Sequence, residues 1–353
     1  MKNTLFKLSL LLLLLVSCGR SSQVTLAQET TSEKALIEQV AEPENISEYP
    51  GTLFVPTLEH QIPADTNAVY CATLLFAWDE VRKIIGSPLA IPDIYKDLQL
   101  LNTSTSFRNV LKDNEYTASG KVEGDSIFTR AEFEKSLPFA YQLQKAENRL
   151  AFNKQKVAAF SVDGSDNYDM TRQVKILYYK NNNNFIIKLK PADEEHEIVL
   201  FKTEKKYQTM AEMADAVDHL TQIGQKERKN ESTRWKYQFL DEDEVVIPDI
   251  DFDISTSFNK LIGNIFSTNS SEYKILQAWQ RTAFKLDETG AEVKSEAKIT
   301  ITTLGIEEGE DEEIPMPKKM IFDKPFFLML RRTDAQHPYF CLRVANTELM
   351  VKE

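Results

Sequence analysis

The chain has 353 residues, of which 42% are hydrophobic and 10% aromatic, and its formal net charge is −12. That charge argues against nucleic acid and against an anionic membrane surface as partners. The apolar content is ample for a large core.

The opening "MKNTLFKLSLLLLLLVSCGR" carries Lys2 and Lys7 ahead of an apolar run from Leu8 to Val16. That run is too short to span a bilayer as a permanent helix and reads as a cleaved export signal over residues 1–17. "LVSC" resembles the bacterial lipobox, which implies cleavage before Cys18 and a lipid anchor on that residue; an ordinary secretory signal with an incidental cysteine is the alternative. Residues 18–50 are rich in Ser, Thr, Glu and Gln and read as a flexible tether, with residues 51–353 as a single domain behind it. The expected location is the bacterial cell envelope, anchored to the outer membrane or facing the periplasm. "GRSSQ" lacks the acids that sometimes sort such proteins, so inner against outer membrane stays open.

In the body, "NAVYCATLLFAWDEVRKIIG" (67–86) reads as a buried central helix ending at Gly86. "TRAEFEKSL" has Thr129 and Glu132 at capping-box spacing, and a further helical stretch is expected from there to about Leu150. Strands follow: "KVAAFSV", "QVKILYY", "FIIKLK" and "EIVLFK", with "KNNNN" as a turn. Thr209 and Glu212 form another capping box, ahead of Met210, Met213, Val217 and Leu220 at helical spacing. "GQKERKNEST" reads as a surface loop and "VVIPDIDFDI" as strand, followed by a short helix "SFNKLIGNIF" and the strands "YKILQAWQRTAFKLDETG", "PFFLMLRR" and "HPYFCLRVA". The class expected is α+β. Cys71 and Cys341 lie in apolar runs and read equally as two buried thiols or one bridge.

The chemistry of an enzyme is missing. His60, His196, His219 and His337 are scattered, and no HExxH, CxxC, P-loop, Rossmann or G-x-S-x-G pattern occurs. No cofactor or metal is expected. Asp249, Asp251 and Asp253 alternate with apolar residues and read as a solvated strand face rather than a calcium loop, which needs a glycine turn and a distal Glu. "EEGEDEE" (307–313), six acids in seven residues, reads as a solvated loop tip.

"GAEVKSEAKITITTLG" (290–305) alternates strictly. Ala291, Val293, Ser295, Ala297 and Ile299 fall on one side, with Glu292, Lys294, Glu296 and Lys298 on the other, which marks a strand with one buried face. The segment sits inside a longer pattern that resembles the serpins. "AWQRTAFKLDETGAE" resembles the strand and hinge that enter their reactive loop, with Arg281, the acids Asp287 and Glu288, and hinge residues Glu288, Gly290, Ala291 and Val293. "FDKPFFLMLRR", with Asp323, Lys324, Pro325 and Phe326, resembles the strand that follows the loop. "HPYFCLRVAN", with Phe340, Arg343, Val344 and Asn346, resembles the final strand. "VVIPDIDFDISTSFNKLIG" is similar to the family's Leu-Pro-x-Phe strand through Ile247 and Pro248. The resemblance covers roughly residues 170–350. It is faint over 65–105, where Cys71-Ala72 replaces the family's Ser-Pro, and the helical half between 105 and 155 is reduced.

The resemblance implies helices packed on a large mixed or antiparallel sheet that can take the loop as an added strand. It places the cleavable bond of an inhibitory member near Leu304–Gly305, in a span to Pro325 about ten residues longer than usual. Inhibitory members carry small residues just past the hinge, whereas Val293, Lys294 and Glu296 are larger. Three readings follow: a lipid-anchored serpin-like binding protein with the strand already seated and no inhibitory action; a working inhibitor of serine or cysteine endopeptidases; or an unrelated α/β lipoprotein acting as an assembly or binding module. The expected partners are the membrane, through the anchor, and a protease or another envelope protein.

Overall fold

Burial alternates with a period of two along strands such as Ile250–Ser257, whereas others such as His196–Lys202 are buried throughout, and the computed structural model, which describes residues 44–123, 126–296 and 317–352, is built mainly from sheets. The export signal, Cys18, the tether up to residue 43 and Leu304–Gly305 lie outside the described residues.

The first sheet has six strands in the order β1 (Glu44–Asn45), β14 (Ile250–Ser257), β17 (Trp279–Asp287), β18 (Gly290–Glu296), β5 (Ser126–Pro138) and β4 (Thr117–Glu123). The second has seven, in the order β10 (Val174–Asn181), β11 (Asn184–Leu189), β12 (His196–Lys202), β20 (Phe326–Arg332), β21 (Phe340–Val344), β3 (Asn67–Cys71) and β2 (Thr52–Phe54). A four-stranded sheet runs β19 (Lys319–Ile321), β13 (Glu244–Pro248), β9 (Ala159–Asp163) and β6 (Gln144–Lys145). Two small hairpins complete the set among the described residues, β7 (Leu150–Phe152) with β8 (Gln155–Val157) and β15 (Ile265–Ser267) with β16 (Glu272–Lys274). The helices are α1 (Thr73–Ile85), α2 (Lys96–Thr103), the short α3 (Tyr168–Thr171) and α4 (Met210–Glu227). The class is α+β, as expected, with few helices in the N-terminal half.

The first two sheets share a core. Phe284 of β17 stacks on Phe340 of β21 at 4.5 Å between ring centres, and Phe133 of β5 meets Tyr339 edge-on at 5.6 Å. Helix α1 packs against β4, β5 and β18. It ends at Gly86, whose φ of 63° closes the last turn. The capping box of Thr209 and Glu212 is present at the start of α4.

Several sequence expectations differ from the structure for identifiable reasons. Asn67–Cys71 is strand, not helix: it lies between β21 and β2 with both faces buried, so no alternation marks it. Ser126–Pro138 is strand as well. The spacing of Thr129 and Glu132 mimics a cap, but Ala131, Phe133 and Leu137 alternate inward, and the sheet overrides the helix-forming Glu and Lys. No helix forms over 139–150, which holds β6 and bends, or over 257–266, where turns link the end of β14 to the start of β15. Glu44–Tyr49, read from composition as the end of the tether, instead holds β1 paired in parallel with β14, then a helical turn. Asp249 is buried rather than on a solvated face, while Asp251 is exposed and Asp253 pairs with Arg281 at 2.5 Å. Cys71 stands opposite Phe340 and Cys341 opposite Tyr70, so alternation sends the two thiols to opposite faces. Both are free and buried.

The loop between β2 and β3 braces α4, with the Ala211 N–H donating to the Leu58 carbonyl at 2.8 Å. In this loop burial, with Asp215 adding a like charge, pushes the Glu59 carboxyl up to about 8. Between its ordinary value near 4.5 and 8 the folded chain holds a proton that the unfolded chain releases, so stability falls as pH rises through that window. Glu59→Gln is therefore expected to melt higher than the natural chain at pH 8, by an amount on the order of 1–3 kcal/mol. The difference should vanish near pH 4. Equal differences at pH 5 and pH 8 in thermal scans would contradict this.

Candidate functional site

The candidate site is the middle of the first sheet, where β17 turns back as β18. Asp287 pairs with Gly290 across the turn, leaving Glu288 and Thr289 at its tip. Asp287 Oδ1 accepts from the Thr289 N–H at 2.8 Å and from its hydroxyl at 2.5 Å, while Oδ2 pairs with Lys285 at 2.7 Å. Burial alone would raise the Asp287 carboxyl, but the bonds from Lys285 and Thr289 hold it below its ordinary value. The tip is tied down from outside by the N–H groups of Phe139 and Leu143, which donate to the carbonyls of Thr289 and Glu288, each at 2.9 Å.

Two hinge residues show why the local sequence is what it is. Gly290 has φ of 140°, which side chains rarely adopt. A Cβ on it would lie 2.5 Å from the Leu137 carbonyl oxygen and 2.6 Å from Pro138 Cα. Glu288 is buried, and Lys145 of β6 reaches it at 3.1 Å and Asp249 at 3.5 Å, joining the turn to the neighbouring sheet. Glu288 in turn raises Lys145, and burial raises Asp249 despite that lysine.

Strand β18 is paired on both sides. Ala291, Val293 and Ser295 stand opposite Leu286, Phe284 and Thr282 of β17, and opposite Leu137, Lys135 and Phe133 of β5. These three residues are buried, while Lys294 is exposed and pairs with Glu134 at 3.0 Å and Glu292 at 3.1 Å. The alternation read from sequence is thus the alternation found as far as Ser295; Ala297 and Ile299 lie outside the described residues.

Some participants carried no sequence signal. Lys145 is one. A second group anchors β5 where it flanks Val293: Lys135 meets Glu115 at 2.5 Å, and the same carboxylate oxygen lies 2.9 Å from Nε2 of the buried His196, whose Nδ1 lies 3.3 Å from the Tyr339 hydroxyl. Burial alone would raise Glu115, but the Lys112 N–H, Lys135 and His196 bring it down to about 2. The bonded pairs in this chain of contacts are separated by 81 residues for His196 and Glu115 and 143 for His196 and Tyr339, so only the fold brings them together. Among the described residues no group of three or more His, Cys, Asp or Glu side chains is placed to hold a metal ion.

No protein-family model matches the sequence, and no curated protein matches it. Among solved structures, the chain is similar to a thermophilic serpin, tengpin, in the latent state, with a TM-score of 0.45, 10% identity, and coverage of 83% of this chain and 94% of that one. It is similar to cleaved Serpin 42Da at a TM-score of 0.39 and 10% identity, covering 64% of this chain. A loop-inserted, cleaved ovalbumin mutant gives 0.37 and 12%, with 84% and 73% coverage. The chain spans 57% of the length of Serpin 42Da. Scores this low carry no weight beside the strand order, which places the segment after Arg281 and the segment after Gly290 side by side at the sheet's middle, as the resemblance requires. The fold is serpin-like. Strand β18 lies between β17 and β5 in the first sheet. Glu288, Gly290, Ala291 and Val293 lie together in this turn and strand, whereas Leu304 and Gly305 fall outside the described residues.

Proposed function

We propose that this is a serpin-like envelope protein that binds another protein and does not trap proteases. The observation that carries the reading is the position of β18, paired to both neighbours over Gly290–Glu296. A trap of this kind needs a native state held kinetically above a more stable inserted one. A chain whose strand is already in the sheet has released the part of that difference which β18 would supply. Long charged side chains at Lys294 and Glu296 add to the case, since they suit a strand that stays in place better than one that must enter a closing gap.

The proposal includes a lipid anchor at Cys18, supported by the apolar run that ends there, and a partner at the bacterial envelope. The described residues hold no helix long and apolar enough to cross a membrane. Binding, rather than catalysis, is the role that suits a sequence with no HExxH, CxxC, P-loop, Rossmann or G-x-S-x-G pattern.

Two measurements test it together. Incubation with elastase-like and chymotrypsin-like proteases should give no complex that survives boiling detergent. Nicking the chain between Gly290 and Ile314 should leave the melting temperature within about 2 °C of the intact protein, because burial and pairing of β18 are already present. A covalent band at the summed mass, or a sharp rise in melting temperature after nicking, would restore the inhibitor reading.

A further inference from the structure

Ser295 ends the inward row of β18 in surroundings unlike those of Ala291 and Val293, which pack in an apolar core. Its hydroxyl lies 3.0 Å from the Thr73 hydroxyl at the start of α1 and 2.9 Å from the Thr282 hydroxyl on β17. It donates to the Arg281 carbonyl at 3.2 Å and accepts from Gln280 Nε2 at 3.3 Å. Gln280 Nε2 also donates to Thr282 at 2.7 Å. Thr73 and Thr282 are completely buried and Gln280 is 1% exposed. A serine offers one proton and two lone pairs, and here every one of them has a partner. The group is a polar socket sunk in the sheet's inner face, with Ser295 as its plug.

The two ends of β18 are held differently. At the hinge, the tight turn and Gly290 fix the register whatever happens further along. Beyond Val293 no apolar side chain of β18 is buried among the described residues. We infer that Ser295 is a latch that sets how far the chain past the hinge stays seated in the sheet. This rests on the reading of β18 as a strand that is normally in place. The physical reason is an asymmetry. With the strand seated, loss of the hydroxyl takes from the buried Thr73 hydroxyl its partner at 3.0 Å, removes one hydrogen bond each from the Thr282 hydroxyl, the Gln280 amide and the Arg281 carbonyl, and leaves Gln280 and Thr282 only each other. With the strand lifted, water serves those groups whether or not the hydroxyl exists. Removing it therefore favours lifting.

Trypsin reports on this directly, because Lys294 offers an exposed side chain while its backbone is paired with Ala283 and Glu134. Cleavage of the Lys294–Ser295 bond in the full chain is followed by mass spectrometry, with the melting temperature as a control for global folding. The natural chain should be cut there slowly. Ser295→Ala should be cut about tenfold faster, as the loss of a buried hydrogen bond implies, with little change in melting temperature. Ser295→Thr, which keeps the hydroxyl, should restore protection. Equal rates for the natural chain and Ser295→Ala, or equal rates for the Ala and Thr variants, overturn the latch and leave the seated strand intact. Fast cleavage at Lys294 in the natural chain instead overturns the seated strand itself.

Discussion

Replacing Gly290 by valine is expected to break the close packing of β18 against β5 and to lower the melting temperature. The residue sits at φ of 140°, where a β-branched side chain is strained at any size. The nearest obstacles to a Cβ are the Leu137 oxygen at 2.5 Å, Pro138 Cα at 2.6 Å and the Phe139 nitrogen at 3.0 Å. All three are backbone atoms of β5 and the residue after it, so no rotamer change relieves the clash. Either β5 moves, disturbing its ladder and the Lys135–Glu115–His196 chain behind it, or β18 leaves and takes Ala291 and Val293 out of the core. Both routes cost about 3–5 kcal/mol, which in a domain of this size corresponds to a fall in melting temperature of roughly 6–15 °C. The route is read from trypsin: departure of the strand exposes the Lys294–Ser295 bond, whereas movement of β5 leaves it protected. A valine variant that melts within about 2 °C of the natural chain would show that the hinge is not held by this close approach.

The same strand marks where sequence reasoning succeeds and where it stops. From Ala291 to Ser295 the period of two is legible, because one face meets Phe284 and Phe133 while the other meets water. The capping box of α4 is legible because both of its hydrogen bonds form within four residues. Asn67–Cys71 was opaque, since a strand buried on both faces is a plain apolar run and joins without a break to the apolar start of α1. At Thr129–Leu137 the local signals of cap and helix formers were real but lost to the pairing with β4 and β18. The polar socket left no trace in the chain at all. Thr73 and Ser295 are 222 residues apart, and neither a threonine after an apolar strand nor a serine in an alternating strand is unusual. The position of β18 between β17 and β5 was reachable only through the resemblance, because periodicity gives a strand one buried face and says nothing about which neighbours it has.

Lys318→Met should destabilise the protein by about 3–5 kcal/mol. Lys318 lies next to β19, where the described chain resumes at residue 317, and it is completely buried. Its Nζ is 2.7 Å from Asp243 Oδ2, 3.4 Å from the Trp235 carbonyl and 5.4 Å from the centre of the Trp235 ring. Asp243 is equally buried and also accepts the Lys318 N–H at 2.8 Å and the Leu240 N–H at 2.8 Å. A methionine keeps most of the volume of the lysine stem but leaves a buried carboxylate with no cation. The large effect comes from that uncompensated charge rather than from the strength of the pair. Lys318→Met with Asp243→Asn should therefore lose less than the sum of the two single variants, because the amide oxygen can still accept a backbone N–H and no buried charge is left alone. Denaturant titration of the four proteins gives the coupling from midpoints at constant slope. Strict additivity would mean that the two side chains do not act as a pair. A deficit in the lysine variant that persists in full when Asp243 is also neutralised would place the cost in lost packing against Trp235 instead.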